Sequence, residues 1–518
     1  MTDVQVIIGP GLQADRALVG EVAEREFAAL GVHGVLTHAR DATETRALLS
    51  AALPGHAGRL TDPPERHPDA DTLPAATRAL PGEPGGGDLG PAGGLSTAVV
   101  VVPGPSREMR ELIGAGGEVV WCDFARVRQV DGASHIHGRG IEGLAWAIRH
   151  AVHRARHRPR RIPYGPHPEQ WGDLHLPTST DSAKAAVPVV ALVHGGYWRS
   201  IWAADLMEAL CADLTARGFA AWNLEYRRPD LHGWDATTTD VAAGLAALPS
   251  VAASLSTPTA PPRHSSASHP PALGSRPATP GPADIRPLAS PVNPRPSLAP
   301  HPSDINPRPP VTGSHPPVRQ SPSSTPDPSV PGSDLRVPGS DSWAAGPGSP
   351  VSSGPGVLLD LGRVAVVGHS AGGQLALRAA ADGAGVALAV SLAGVLDLVE
   401  GDRRHLSSGA VAAALDGRAG EERGAPHDRY ASSSPLLRLP LGIPQLIVQG
   451  SGDDLDLIDF SRRYARAAAE AGDEVTYMEM SGDHFAVIDP RTPIWRTTAL
   501  AIADHLTRTT PPEKTDPS

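Results

Sequence analysis

Short runs of consecutive apolar residues, each ending at a turn residue, set the pattern of this chain. Val187–Val193, Val364–Val367 and Pro444–Gly450 are three such runs in the C-terminal half, and Glu474–Met480 is a further strand of mixed polarity. Apolar runs this short predict strands buried on both faces. Helical spacing appears at Thr239–Leu248, at Gln374–Ala380 and in the last stretch around Leu500–His505. The first 160 residues repeat the alternation on a smaller scale. Strands are expected at Val4–Ile8, Gly34–Thr37, Ala98–Val102 and Val119–Asp123. Helices are expected at Ala17–Leu30, Thr43–Leu53 and Glu108–Gly114, and a longer one over Ile141–Arg156 closes the unit. Such alternation predicts a flavodoxin-like parallel sheet for residues 1–160.

Two stretches break the pattern. Residues 249–356 are saturated with Pro, Ser, Gly and His, and Trp343 is their only Phe, Tyr or Trp. Asn-Pro-Arg-Pro recurs at 293–296 and 306–309. Too little apolar surface is available to offset ordering entropy, so this stretch is expected to be disordered. It interrupts a second domain, expected at 165–248 and 357–508. Loop-closure entropy grows slowly with length, so both flanks can still join one sheet. A passive insertion is the expectation, rather than a lid. A Pro/Gly-rich loop at about 54–95 interrupts the first domain in the same way.

Chemistry concentrates where the strands end. Gly368-His369-Ser370-Ala371-Gly372 follows the run at Val364–Val367 and precedes a helical one. Strand, sharp turn and helix with serine at the apex form the nucleophile elbow of an α/β-hydrolase. Small neighbours are needed because the serine sits in a strained turn. Val187–Val193 runs into His194-Gly195-Gly196-Tyr197-Trp198. The Ala371 N–H and the Gly195, Gly196 and Tyr197 backbone are therefore the expected oxyanion hole. Downstream strands end at Asp453 and at His484, giving the order Ser, Asp, His.

Only His484 and His505 follow Asp453, and His505 lies in a helical run. Asp453, Asp454 and Asp456 compete for the acid, with Asp453 preferred as nearest the strand end. In this reading Ser370 attacks an acyl carbon, His484 relays its proton and Asp453 orients the imidazole. Taken singly, each piece has a plainer explanation: an αβ turn, a buried histidine, a helix cap. Jointly, in this order and strand context, they favour hydrolase chemistry. His194 is expected to be structural, and His369 to pack or to line the pocket. Trp198 and Phe485 are candidate substrate-pocket residues; Tyr197 and Trp495 line the pocket or the core.

Composition narrows the classes. The 518 residues carry a formal charge of −11 and no basic stripe, so no nucleic-acid partner is expected. Lys184 and Lys514 are the only lysines, which argues against Schiff-base chemistry and a phosphate-binding P-loop. Cys122 and Cys211 suggest neither a disulfide framework nor a zinc site, and buried free thiols are expected. No cofactor or metal is implied. The N-terminus reads as a first strand, and no apolar run reaches about 18 residues, so no membrane partner and a cytoplasmic location are expected.

His194–Trp198, Glu225-Tyr226-Arg227-Arg228, Gly368–Gly373, Ser391-Leu392-Ala393-Gly394 and Gly482-Asp483-His484-Phe485 together resemble the kynurenine formamidase-like and carboxylesterase branch of the α/β-hydrolases. The resemblance implies cleavage of a small-molecule ester, aryl formamide or small amide. Residues 1–160 resemble type II 3-dehydroquinate dehydratase at Ile8–Leu12, Val102–Pro105 and Gly138–Gly143. That family's tyrosine base is missing from Gln13-Ala14-Asp15-Arg16, its asparagine is Val102, and its histidine is Asp123. A degenerate module for ligand binding or docking is expected, with a live lyase as the alternative. His135, His137 and Arg139 are either an anion site or, by the plainer reading, a solvated capping cluster.

Overall fold

The computed structural model describes residues 2–53, 97–114, 118–130, 132–177, 186–256, 357–420 and 428–508. The loop expected at 54–95 lies outside the described residues, as does the expected insertion beyond residue 256.

The N-terminal valine and isoleucine runs form a five-stranded parallel sheet. In chain order its elements are β1 (Asp3–Ile8), α1 (Arg16–Leu30), β2 (His33–His38), α2 (Ala42–Ala52), β3 (Thr97–Val102), α3 (Arg107–Arg110), β4 (Val119–Asp123), β5 (Ser134–His137) and α4 (Glu142–Arg156). The strand order is β2-β1-β3-β4-β5. The period-2 geometry of strands sorts the side chains. Val4, Val6, Ile8, Val100 and Val102 pack with α1 and α4, while Ile7, Val99, Val101 and Trp121 pack with Leu49 of α2. Asp15 caps α1 by accepting from Ala17 and Leu18 N–H, and Gly31 (φ 60°) ends it. The expected helix at Glu108–Gly114 is only the short α3. The sequence reading had no β5, whose two histidines hid an otherwise short strand.

The second sheet has eight strands in the order β13-β12-β11-β10-β8-β9-β7-β6. Its elements are β6 (Arg160–Pro163), β7 (Trp171–His175), β8 (Val187–Val193), α5 (Glu208–Ala216), β9 (Ala220–Leu224), α6 (Pro229–His232), α7 (Trp234–Ala246) and α8 (Leu248–Ser256). After the insertion come β10 (Leu359–His369), α9 (Ala371–Ala381), β11 (Leu388–Leu392), α10 (Leu398–Arg403), α11 (Leu406–Leu415), α12 (Arg429–Ser433), β12 (Gln445–Gly450), α13 (Leu455–Glu470), β13 (Val475–Met480) and α14 (Pro493–Arg508). Strands β8 to β13 run parallel, and only β7 pairs antiparallel with its neighbours β6 and β9. This is the α/β-hydrolase fold. Strands β8 and β10 pair although the insertion lies between them in sequence.

Two boundaries differ from expectation. The second sheet begins at Arg160 rather than 165, because the β6–β7 hairpin adds an edge to β9. Residues 249–256 are not part of a disordered insertion; they belong to α8, whose Val251 is buried in the core. Together α7 and α8 give a 22-residue apolar helical run, Trp234–Leu255, long enough to cross a membrane. One side of that run packs into the hydrolase core through Trp234, Val241, Leu245, Leu248 and Val251, and Asp240 within it pairs with Arg227. It is therefore a helix with one face packed on the core. Both cysteines are buried free thiols, and burial pushes the Cys122 thiol up to about 12.

Candidate active site

Because β8, β10, β12 and β13 are parallel neighbours or near neighbours, their C-terminal ends share one rim. That rim carries His194, Ser370, Asp453 and His484.

Ser370 joins β10 to α9 with φ 55° and ψ −120°, a conformation that costs a non-glycine residue on the order of 1–3 kcal/mol. The surrounding glycines make the turn possible. A Cβ on Gly368 would lie 2.0 Å from the Gly372 carbonyl oxygen, and one on Gly372 would lie 2.2 Å from that of Val193. The turn is pinned by Ser370 N–H donating to Leu392 O at 2.8 Å. Ser370 Oγ is buried and has no hydrogen-bond partner among the described residues. No hydrogen bond joins it to His484 among the described residues; serine–histidine hydrogen bonds are often long without substrate and tighten when it binds. Ala371 is the first residue of α9, so its N–H is one of the orphan donors of a helix start.

Of the three competing acids, Asp453 is the one beside His484, with Oδ2 3.0 Å from Nδ1. Asp454 instead caps α13, accepting from Asp456 N–H, and Asp456 pairs with Arg404. Burial would push the Asp453 carboxyl up. The hydrogen bond and charge of His484, the Asp454 N–H and the Gln449 amide outweigh burial and hold it below its ordinary value. An ionised Asp453 puts the imidazole proton on Nδ1 and leaves Nε2 as the free base. Gln449, which sequence reasoning missed, donates to Asp453 at 2.8 Å and accepts from Ser461 at 2.8 Å. Its one signal was an amide within an apolar strand. His505, the other candidate base, lies on α14 and meets the Ala387 carbonyl before β11.

The loop after β8 turns through the left-handed region at Gly196 (φ 114°), Tyr197 (φ 49°) and Trp198 (φ 56°). A Cβ on Gly195 would meet Ser370 Cβ at 2.9 Å, so the loop backbone lies against the elbow. His194 holds the loop from beneath. Its Nδ1 is 2.9 Å from Gly195 O, its Nε2 is 3.3 Å from Glu225, and its ring stacks on Tyr226. Burial, with the nearby Arg228 charge, pushes His194 down to about 3, so it is a neutral strut. Burial and the Asp454 and Asp453 carboxylates push the Tyr197 phenol up to about 12.

Trp198 does not form an open pocket wall. It is 1 % exposed, and its indole N–H donates to Gln374 of α9 at 3.0 Å. An indole needs a partner for that N–H when buried, and Gln374 supplies it from within the elbow helix. Phe485 is 42 % exposed and stands edge-on to the His484 ring. Trp495 is core, donating to Asp213.

The N-terminal cluster is buried rather than a solvated cap, and His137 within it keeps an Nδ1 without a hydrogen-bond partner among the described residues. His135 pairs with Asp123, and Arg139 makes a two-pronged bond to Asp205; both side chains are buried. These partners already satisfy the charges an anion would need. Elsewhere His167, Glu169 and His232 place ligand atoms within 4.8 Å of one another. Glu169 is already paired with His232 and the buried Arg228, so the group is an ion-pair network.

Residues 352–488 match the family described as alpha/beta hydrolase fold. Among solved structures, the chain is similar to an inhibited esterase B from Lactobacillus rhamnosis, at 15 % identity over 70 % of this chain and 92 % of that one, with TM-score 0.42. A bacterial heroin esterase gives 16 % identity over 68 % of this chain and 84 % of that one, with TM-score 0.40. A thermophilic esterase from the Planctomycetes species Thermogutta terrifontis gives 14 % over 69 % and 95 %, with TM-score 0.40. No curated protein matches the chain.

Proposed function

We propose that the protein is a serine hydrolase, a kynurenine formamidase-like esterase that cleaves a small carboxylic ester, aryl formamide or small amide. One observation carries this reading above the rest. A strained serine at the head of α9 shares its rim with a histidine whose Nδ1 is 3.0 Å from Asp453. His484 Nε2 takes the proton as Ser370 Oγ bonds to the acyl carbon. The resulting oxyanion is held by the Ala371 N–H and by N–H groups of the Gly195–Tyr197 turn. His484⁺ then protonates the departing alcohol or amine as the acyl bond to it breaks. Water, deprotonated by the same imidazole, releases the acid and restores Ser370. No step calls for a metal or an organic cofactor.

Lyase chemistry in the N-terminal sheet has less support. Asp123 and Arg139 are engaged with neighbours, and the family's tyrosine base has no counterpart in the first loop. The test is hydrolysis of p-nitrophenyl acetate and of N-formylkynurenine by the wild type beside Ser370→Ala, with dehydroquinate as a third substrate. Turnover of either acyl substrate lost in Ser370→Ala supports the reading, and their ratio separates esterase from formamidase. Turnover that survives the substitution removes it.

A further inference from the structure

The described residues on both sides of the insertion form one compact unit that holds both sheets. The contact between the sheets is built, not incidental, and it ends at the candidate active site. The side chain of Arg139, in the turn before α4, is 2 % exposed. It reaches Asp205 through both terminal nitrogens, at 2.5 and 2.8 Å, and donates through Nε to Ile201 O at 2.7 Å. Its guanidinium lies 4.4 Å from the ring centre of Trp202. Trp202 in turn fills the space above Gly196, where a Cβ would be 2.3 Å from the indole. Arg139, Trp202 and Gly196 are thus in continuous contact.

A second chain of contacts starts at Trp146, on α4. Its ring stands perpendicular to Trp202 at 6.1 Å and lies 5.7 Å from Phe485. Phe485 lies 5.4 Å from the His484 ring. The Arg149 guanidinium sits 4.9 Å from the Trp146 ring centre. Further ties join the two sheets: His150 of α4 to Glu208 at 2.8 Å, and Arg126, in the loop after β4, to Asp230 at 2.8 Å. Meanwhile, where an open parallel sheet usually binds ligands, the loops after β1 and β3 come into close backbone contact. Between the ends of β1 and β3, a Cβ on Gly9 would lie 2.4 Å from Pro103 O, and one on Gly104 would lie 2.5 Å from Pro10 O.

We propose that the N-terminal sheet is a fixed wall of the hydrolase site, with Arg139 and Trp146 as positioning residues. Arg139 sets the Gly196 turn through Trp202, and Trp146 sets Phe485 and with it the His484 loop. The inference rests on the serine-hydrolase reading. Neither residue touches the reacting atoms. Each acts on groups that matter most in the transition state, so its loss shows in kcat more than in KM.

The experiment uses the full chain and p-nitrophenyl acetate, with Arg139→Met, Arg139→Lys and Trp146→Ala. Met fills the volume of the buried arginine but leaves the buried Asp205 without its partner, so folding of this variant is checked first. Lysine keeps the charge but lacks the two-pronged fork, so it rescues little. Expected for the folded variants is a kcat roughly 10- to 100-fold lower with KM changed less than about threefold. The rate of fluorophosphonate labelling of Ser370 should fall in parallel. Folded variants with kcat and labelling rate within about twofold of wild type overturn the proposal. Should the Arg139 variants not fold, Trp146→Ala decides alone. A wild type that fluorophosphonate does not label at Ser370 instead removes the hydrolase reading, and this inference with it.

Discussion

His369 Nε2 lies 3.0 Å from the backbone carbonyl oxygen of His484. The residue before the elbow serine therefore donates to the loop that carries the proposed base. Burial, with the His484 charge, pushes the His369 imidazole down to about 3, so it is neutral and Nε2 carries the proton. His369→Phe keeps the volume and removes the donor. It should lower kcat on p-nitrophenyl acetate roughly tenfold with little change in KM, and remove the hydrogen bond to the part-buried His484 carbonyl at a cost of about 1 kcal/mol. Steady-state kinetics and urea denaturation of this variant check both numbers.

The elbow stores strain. With φ 55° and ψ −120° at Ser370, glycine is the residue that fits without cost. Ser370→Gly should be inactive yet more stable than wild type by about 1 kcal/mol. A shift of the urea midpoint to higher concentration, at unchanged slope, is the expected result.

Asp453 and Asp454 are adjacent but do different work. Asp453→Asn should cut kcat by about 10³- to 10⁴-fold, because the amide favours the wrong imidazole tautomer. Asp454→Ala removes the cap of α13 and should cost about 0.5–2 kcal/mol of stability with kcat nearly unchanged. Kinetics and thermal melts on the pair distinguish the roles, and the reverse pattern would reassign the acid.

Acid should destabilise the fold before it titrates carboxylates. His194 and His369 are both pushed from 6.5 down to about 3, chiefly by burial. As pH falls from about 6.5 toward 3, the unfolded chain takes up protons on these rings that the native protein refuses. Stability therefore drops over that window, by up to about 1.4 kcal/mol per pH unit per histidine. Asp453, held low, adds a loss in the same direction at lower pH. Urea midpoints at pH 7.5, 6 and 5 should decline in order. A flat profile would mean these rings are not held neutral.

The strand ends were legible because each is a run of apolar residues stopped by a turn. Val187–Val193 before His194, and Gln445–Gly450 before Asp453, needed nothing beyond local pattern. The second sheet's edge was not legible, because Arg160–Pro163 and Trp171–His175 are short, polar and paired only with each other and β9. Trp198 was misplaced as a pocket wall because sequence records an aromatic beside the glycines but not the Gln374 that takes its N–H. The links from Arg139 to Asp205 and from Trp146 to Phe485 depend on how two sheets pack. No local periodicity carries that information.

The central claim is that Ser370 is the nucleophile. The most direct measurement is to titrate the purified full chain with a fluorophosphonate, follow residual esterase activity, and map the adduct by peptide mass. The account predicts one adduct, on the peptide holding Ser370, with activity lost in proportion to labelling. Full modification of Ser370 with activity retained, or loss of activity with the label on another residue, would contradict it.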